Sequence, residues 1–193
     1  MRGLIAPLLL SAVAVSCATS RTPPPSVTAE LVAMRDADQE VRKRWIADRE
    51  NRALQVEVQT VDARNLARLK EIVRRYGWPG ASTFGKPAAS AAWMIAQHAD
   101  QDPEFQREML PKMEAAMKRG DLAPQLYALT VDRVLVGGKK LQRYGSQFDT
   151  KEGRCQPLPM EDPEHVDERR KAMGLDPLAE YTQQLCALYN HKK

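Results

Sequence analysis

Few residues of this chain belong to the types that bind metals or stack on nucleic-acid bases. Its 193 residues include three cysteines, three histidines and 6% aromatic side chains. No Cys-x-x-Cys pair is present, which excludes the usual ligand spacing of a structural zinc site. Although the net charge is +4, no run of Lys and Arg reaches five residues. We therefore expect no bound metal, no cofactor and no nucleic-acid partner.

Signatures of common enzyme classes are also missing. The sequence contains no GxSxG nucleophile elbow, no P-loop, no GxGxxG and no HExxH motif. Its acidic residues include no isolated pair that spacing alone identifies as catalytic. No reaction can be assigned from motifs, and both binding and catalysis stay open.

One long apolar run is present, and it lies at the N-terminus. Residues 4–15 are apolar, Arg2 precedes them, and small residues follow at positions 16–18. A charged start, an apolar segment too short to span a bilayer and a cleavage site define an export signal. No second apolar run is long enough to cross a membrane. We therefore predict a signal peptide over residues 1–17 and an exported protein.

The end of this signal indicates lipidation. Residues 14–17 (AVSC) resemble the lipobox of bacterial lipoproteins, although Ala14 stands where that motif usually has Leu. We expect cleavage before Cys17 and a lipid that anchors this residue to the membrane of the cell envelope. The alternative is simple secretion to the periplasm or medium, with cleavage after Ala18. Residues 18–25 are small, polar and rich in proline, as in a tether.

Residues 26–193 predict a mainly α fold, a single helical domain. Apolar residues recur at three- and four-residue steps, and glycine and proline divide them into about six to seven helices. The expected helices cover residues 28–48, a segment that ends at 76, and residues 88–99, 103–119, 124–136, 163–173 and 177–190. Residues 141–158 differ, because a turn-like tetrad at 150–153 separates two short segments. There we predict a β-hairpin.

Polar residues on apolar helix faces are the candidates for function, since burying them without a partner costs stability. Asp38 is the clearest case, four residues after Met34 and three before Val41 on the apolar face of the first helix. An unpaired aspartate there would take up a proton or destabilise the fold. Two interpretations are open: a carboxylate in a ligand pocket, and a buried salt bridge to an arginine.

Three later residues repeat this pattern. Asn65 lies in the apolar face of the second helix, where the neighbouring Asp62 is expected to be a surface acid. His98 extends the face of an alanine-rich helix near its C-terminal end, and is either a general base or a structural residue. Arg133 fits the apolar face of its own helix. It is a candidate partner of Asp38 or a clamp for an anion.

The last quarter of the chain adds hydrogen-bonding groups and two cysteines. In the predicted hairpin, Gln142 and Tyr144 share a strand face, and Gln147 offers a further amide. Cys155 and Cys186 either form a disulfide, as an exported protein allows, or remain separate thiols.

Short motifs occur along the chain in a combination that is more specific than any one of them. They are DQxxR at 38–42, YGWPG at 76–80, QHAD at 97–100, DPxFQ at 102–106, DR at 132–133, YGSQ at 144–147, and ED with VDxRR at 161–170. With them, about residues 30–185 resemble a bacterial family catalogued as domain of unknown function 6624, in which Thr is more usual than Ser146. The resemblance implies no reaction, but it places these residues in the family pattern: Asp38, Gln39, His98, Arg133, Tyr144 and Gln147.

The expected function is binding of a small polar ligand, such as a peptide, a glycan fragment or an anionic metabolite, by an envelope-anchored domain. The residues expected to bind it are Gln39, Asn65, Tyr144 and Gln147. One alternative is a hydrolase in which His98 is the general base, Asp38 orients it and Arg133 stabilises negative charge. The other is a structural or interaction protein whose polar residues form a closed network.

Overall fold

The computed structural model describes residues 22–150 and 154–190. They form eight α-helices and one small antiparallel sheet. The helices are α1 (Pro25–Ala47), α2 (Arg52–Tyr76), α3 (Ala81–Phe84), α4 (Lys86–Gln97), α5 (Pro103–Lys118), α6 (Pro124–Gly137), α7 (Val166–Ala172) and α8 (Leu178–Asn190). The sheet lies between α6 and α7. This architecture confirms the predicted mainly α domain with a late hairpin.

The ends of the first helices follow from their sequences. α1 begins at Pro25, inside the predicted tether, because proline has a helical φ and needs no N–H donor in the first turn. The Asn51 side chain caps α2 by accepting hydrogen bonds from the N–H groups of Ala53 and Leu54. α2 ends at Gly77, whose φ of 78° lies in the region that favours glycine.

The alanine-rich α4 occupies the centre of the domain. It packs against α1, α2 and α6, and Ala91, Ala92 and Ala96 are fully buried. Small side chains on this helix let its neighbours approach closely, so that larger residues can fill the space between them. The larger core residues include Leu31, Leu69, Ile72, Phe84, Ile95, Phe105, Met109 and Met113.

A short helix, α3, was missing from the predicted set. It spans four residues between Gly80 and Gly85, too few to show an apolar period. Asp121 holds it in place, since its carbonyl accepts from the Ala81 N–H and its carboxylate from the Ser82 N–H. A Cβ atom on Gly80 would lie 2.9 Å from the Asp121 Cβ, so glycine is needed for this close approach.

The hairpin is shorter than predicted. Strand β1 (Phe148–Asp149) pairs with β2 (Gln156–Pro157), with Phe148 opposite Pro157. Residues 142–147 form a loop instead of a strand, so the expected shared strand face of Gln142 and Tyr144 is wrong. Nearby, Cys155 and Cys186 form a disulfide with their Cα atoms 5.7 Å apart. The bond joins the hairpin to α8.

The predicted signal peptide, the lipidation residue Cys17 and the start of the tether lie outside the described residues. Within residues 22–150 and 154–190, none of the helices combines the length and the apolar character that crossing a bilayer requires.

Candidate functional site

A buried carboxylate is the centre of the first polar cluster. Asp38, on α1, is 1% exposed, and its two oxygens accept hydrogen bonds from three side chains. Gln39 Nε2 donates over 2.7 Å, Arg42 Nε over 2.9 Å, and His98 Nδ1 lies 3.0 Å from both oxygens. The cluster therefore joins α1 to the C-terminal end of α4.

Asp62 extends this cluster to α2. Arg42 Nη2 donates to Asp62 Oδ1 over 2.6 Å, so one guanidinium links two carboxylates. The Asp62 side chain is only 11% exposed, and the expectation of a surface acid is wrong. We call this set of five side chains the Asp38 network: Asp38, Gln39, Arg42, Asp62 and His98.

The pKa values of the two aspartates in the network are shifted in opposite directions. Burial raises the pKa of Asp38, but hydrogen bonds and charge from His98, Arg42 and Gln39 outweigh it and lower that pKa to about 2. For Asp62, burial prevails over the attraction of Arg42, and the charge of Asp38 adds to it, so its pKa is raised. Asp38 therefore stays ionised to lower pH than Asp62 does.

Three residues of the network have the chemistry of metal ligands. Asp38, Asp62 and His98 each offer one ligand atom, and these atoms lie within 4.8 Å of one another. Carboxylates and imidazole suit several divalent ions. However, the Arg42 guanidinium contacts both carboxylates and supplies the positive charge that an ion would bring. We therefore interpret the arrangement as an ion-pair network and assign no metal to it.

His98 has the local chemistry of a general base. It caps the C-terminal end of α4, and its side chain is 21% exposed. When Nδ1 carries the proton that Asp38 accepts, Nε2 presents its lone pair. Within the described residues, Nε2 makes no hydrogen bond and is not sealed from solvent. The carboxylate neighbour that a catalytic histidine needs is present.

Asn65 is buried between α2 and α1 and is not a member of the Asp38 network. It is 1% exposed, and its Nδ2 donates to the Met34 carbonyl over 3.1 Å. Its Oδ1 has no partner among the described residues. The side chain therefore bridges α2 to α1, and nothing in this position supports the expected role in ligand binding.

Arg133 belongs to a second cluster. Its Nη1 donates to both carboxylate oxygens of Asp100, over 2.9 and 3.0 Å, and the Asp100 side chain is 64% exposed. Arg133 is not the partner of Asp38, whose arginine is Arg42. The Nε atom of Arg133 is buried and has no partner among the described residues. This arginine keeps hydrogen-bonding capacity that the protein itself does not use.

A cavity of about 330 Å³ opens beside Arg133. Residues of α4, α6, the loop, β1 and α8 form its wall. They are Gln97, Leu129, Arg133, Ser146, Gln147, Phe148, Thr150, Tyr181 and Leu185. We call it the α6–α8 cavity. Its volume lies within the range of about 300–1,000 Å³ that is usual for small-molecule sites, and its wall combines amides, hydroxyls and one cation with aromatic and aliphatic surface.

The loop beside this cavity is held by a second buried aspartate. Asp132 is fully buried and accepts hydrogen bonds from the backbone N–H groups of Arg143, Tyr144 and Ser146 over 2.7, 2.9 and 2.8 Å. These bonds replace a strand ladder, which explains why residues 142–147 are not a strand. The Asp132 carboxylate thus fixes the position of Ser146 in the cavity wall.

Gln142 and Tyr144 support the loop and do not line the cavity. Gln142 is fully buried; its amide donates to the Gln147 carbonyl over 3.0 Å and accepts from the Gln147 N–H over 2.8 Å. Tyr144 is 7% exposed, and burial raises the pKa of its hydroxyl. Arg170 Nη1 donates to the Tyr144 carbonyl over 2.5 Å. Of the residues expected to bind ligand in this region, only Gln147 lines the cavity.

A larger groove of about 630 Å³ lies between α2 and α5, and two of its charged side chains, Lys70 and Asp102, pair with each other. Asp102 caps α5 by accepting from the Phe105 N–H over 3.0 Å, and it also accepts from Lys70. Lys70 lies over the Phe105 ring. The groove is a weaker candidate than the α6–α8 cavity, because none of the sequence-predicted site residues lines it.

The family model described as a family of unknown function (DUF6624) matches residues 25–193. The chain belongs to this family. The match confirms the resemblance inferred from the sequence motifs. No curated protein and no solved structure matches the chain.

The DUF6624 motifs divide between the two clusters, and the end of α4 lies between them. Its QHAD segment contributes Gln97 to the α6–α8 cavity and the adjacent His98 to the Asp38 network. The DR and YGSQ motifs contribute Arg133 and Gln147 to the cavity. Five of the sequence-predicted site residues therefore divide between two neighbouring clusters, whereas Asn65 and Tyr144 belong to neither. Sequence reasoning missed Arg42, Asp62 and Gln97 as members.

Proposed function

We propose that this DUF6624 protein binds a small anionic molecule in the α6–α8 cavity. The supporting observation is the state of Arg133, which lies in the cavity wall. Among the described residues, Asp100 is the partner of its Nη1 atom, and neither Nη2 nor the buried Nε has a partner. An arginine presents two N–H donors along one edge to a carboxylate or phosphate. Because Nε is buried and Nη2 is not, an anion in the cavity would bind to the Nη2 donor.

The rest of the wall suggests what the anion is attached to. Gln97 offers its amide nitrogen as a donor, because its oxygen already accepts from Thr130. Gln147 offers its amide oxygen as an acceptor, because its Nε2 already donates to Ser146. Ser146 and Thr150 add hydroxyls. The aromatic ring of Phe148 provides apolar contact. A short peptide with a free carboxylate, or a sugar with a lactate side chain, has this combination of an anion, amides and an apolar part.

Matched pairs of probes test this proposal by isothermal titration calorimetry. One pair is N-acetylmuramic acid and N-acetylglucosamine; the other is trialanine and trialanine amide. In each pair only the first member carries a carboxylate. We expect the anionic member to bind and its neutral counterpart to bind at least about tenfold more weakly, since each charged hydrogen bond contributes about 1.5–3 kcal/mol.

Two variants separate the site from general electrostatics. Arg133→Gln should reduce the affinity for the anionic probe at least about tenfold. Arg143→Gln removes the same charge from a nearby exposed side chain and should leave the affinity unchanged. Equal binding of charged and neutral probes, or equal losses in the two variants, would contradict the proposal.

The hydrogen bond between Asp38 and His98 favours a second candidate function, hydrolysis. In such a reaction His98 Nε2 removes a proton from water while the Asp38 carboxylate stabilises the imidazolium. Mass spectrometry of the bound probes would detect their cleavage. A hydrolase predicts turnover that His98→Gln abolishes while binding persists, and recovery of every bound probe intact would reject this candidate.

We also propose that the chain is exported and anchored through a lipid on Cys17. The support is the sequence of residues 1–17, with a charged start, an apolar run and a segment that resembles a lipobox. The expectation is a membrane-associated protein that incorporates labelled palmitate. Cys17→Ser should abolish the label and release the protein from the membrane fraction. An unlabelled protein that is cleaved after Ala18 would favour simple secretion instead.

A further inference from the structure

α8 forms one side of the α6–α8 cavity but is only shallowly packed. Tyr181 and Leu185 line the cavity, yet none of residues 178–188 is buried. By contrast, eight residues of α4 are buried. Apolar burial is the main source of stability for a helix in a folded domain. The cavity is thus bounded on one side by the buried helix α4 and on another by the surface helix α8.

The first half of α8 is attached by side-chain contacts. The Leu178 N–H donates to Asp167 over 2.7 Å. The Tyr181 ring packs edge-on against Phe148, with centroids 5.8 Å apart, and Arg170 lies over the same ring at 4.9 Å. Except for Arg170, the residues that make these contacts are partly or fully exposed to solvent.

The second half of α8 is attached covalently. Cys186 follows the wall residue Leu185 and is bonded to Cys155, which stands just before β2. The bond thus ties α8 to the hairpin whose other strand contributes Phe148 to the same cavity. A cross-link of this kind limits how far two surface elements can separate.

We propose that the Cys155–Cys186 disulfide is a redox latch that keeps α8 in place as a wall of the α6–α8 cavity. A dithiol reductant would break it in a two-electron step: each cysteine sulfur gains one hydrogen, and the dithiol becomes a disulfide. α8 would then open locally and the cavity would lose one side. The effect on binding rests on the proposed function, whereas the opening of α8 does not.

Hydrogen exchange of the full-length chain tests the latch directly. We compare the oxidised protein, the protein reduced with a dithiol, and the double variant Cys155→Ser/Cys186→Ser. The amides of α8 should exchange about tenfold faster or more in the last two samples. The amides of α4 should keep their protection, which shows that the domain remains folded. Unchanged exchange in α8 would overturn the proposal.

Affinity for N-acetylmuramic acid, measured on the same three samples, links the latch to the cavity. A severalfold weaker affinity in the reduced protein and in the double variant supports the proposal. Equal affinity in all three overturns the role of the latch and leaves the proposed function intact. If the oxidised protein binds neither anionic probe, the proposed function fails, and the exchange of α8 still decides whether the latch exists.

Discussion

The Asp38 network and the α6–α8 cavity lie on either side of the end of α4, and they use their polar groups differently. In the network, every oxygen of Asp38 has a partner, and one arginine joins two carboxylates. In the cavity, Arg133 leaves its Nε without a partner in the described residues. The hydrogen bonds around Asp38 lie within the protein and stabilise its fold. Arg133 has a donor left for a ligand.

The same difference predicts which region contributes to stability. Removing one partner from a buried ion pair leaves the other charge uncompensated and costs several kcal/mol. Removing a side chain whose donor is already unpaired costs little, and can even stabilise a protein. Substitutions should therefore destabilise the network more than the cavity, and should affect binding in the reverse order.

The largest effect is expected for Asp38→Ala. This change leaves Arg42 and His98 without the carboxylate that they share, and we expect a loss of about 3–5 kcal/mol in the free energy of unfolding, measured by urea titration. The matched control is Asp36→Ala on the same helix, where the carboxylate is 62% exposed and the loss should stay below about 0.5 kcal/mol. Similar losses in both variants would show that the network is not the stabilising cluster.

A smaller effect should appear with acid. Because the pKa of Asp38 in the folded protein is about 2, below its ordinary value of 3.8, the unfolded chain takes up this proton first. The stabilisation is complete above about pH 4 and is lost as the pH falls toward 2, amounting to about 2 kcal/mol. The raised pKa of Asp62 acts in the opposite sense, so the net loss is smaller.

The control for the pH dependence of stability is Asp38→Asn, which removes the titrating group and keeps the shape of the side chain. Urea unfolding between about pH 4 and pH 2 should show a shallower loss of stability in this variant than in the original protein. Parallel curves would mean that other carboxylates, and not Asp38, cause the acid sensitivity.

The smallest effect on stability is expected in the cavity. Arg133→Gln removes an exposed ion pair to Asp100 and should change the free energy of unfolding by less than about 1 kcal/mol. The same substitution at Arg42, which is 18% exposed between two carboxylates, should cost about 3 kcal/mol. Thermal and urea unfolding of the two variants compare the regions directly, and equal costs would remove the distinction between them.

Much of the fold could be predicted, because periodicity and helix-ending residues are local signals. The start of α4 follows from a proline in its first turn, Pro87. The start of α5 follows from the proline in its first turn and from the Asp102 cap. The short α3 could not be predicted, since Asp121, far along the chain, holds it. The extent of the hairpin was overestimated because one buried residue, Asp132, binds the loop amides that a strand would have used.

The candidate site was predictable only in part. The position of Asp38 within an apolar face showed that it needed a partner. The spacing of Arg42, four residues later on the same helix, could have identified that partner, but Arg133 was predicted instead. The partners that are distant in sequence gave no such signal: Arg133 lies 33 residues from Asp100, and Arg42 lies 20 from Asp62. Their pairing depends on how α1, α2, α4 and α6 pack, which a single sequence does not specify.

An NMR titration that follows the Nε–H resonance of Arg133 tests directly whether an anion binds in the α6–α8 cavity. We expect that N-acetylmuramic acid shifts this resonance in a saturable way and that N-acetylglucosamine does not. The amide resonances of Gln97 and Gln147 should move over the same concentration range. An Arg133 signal that stays in place while other parts of the protein respond would contradict an anion site in the α6–α8 cavity.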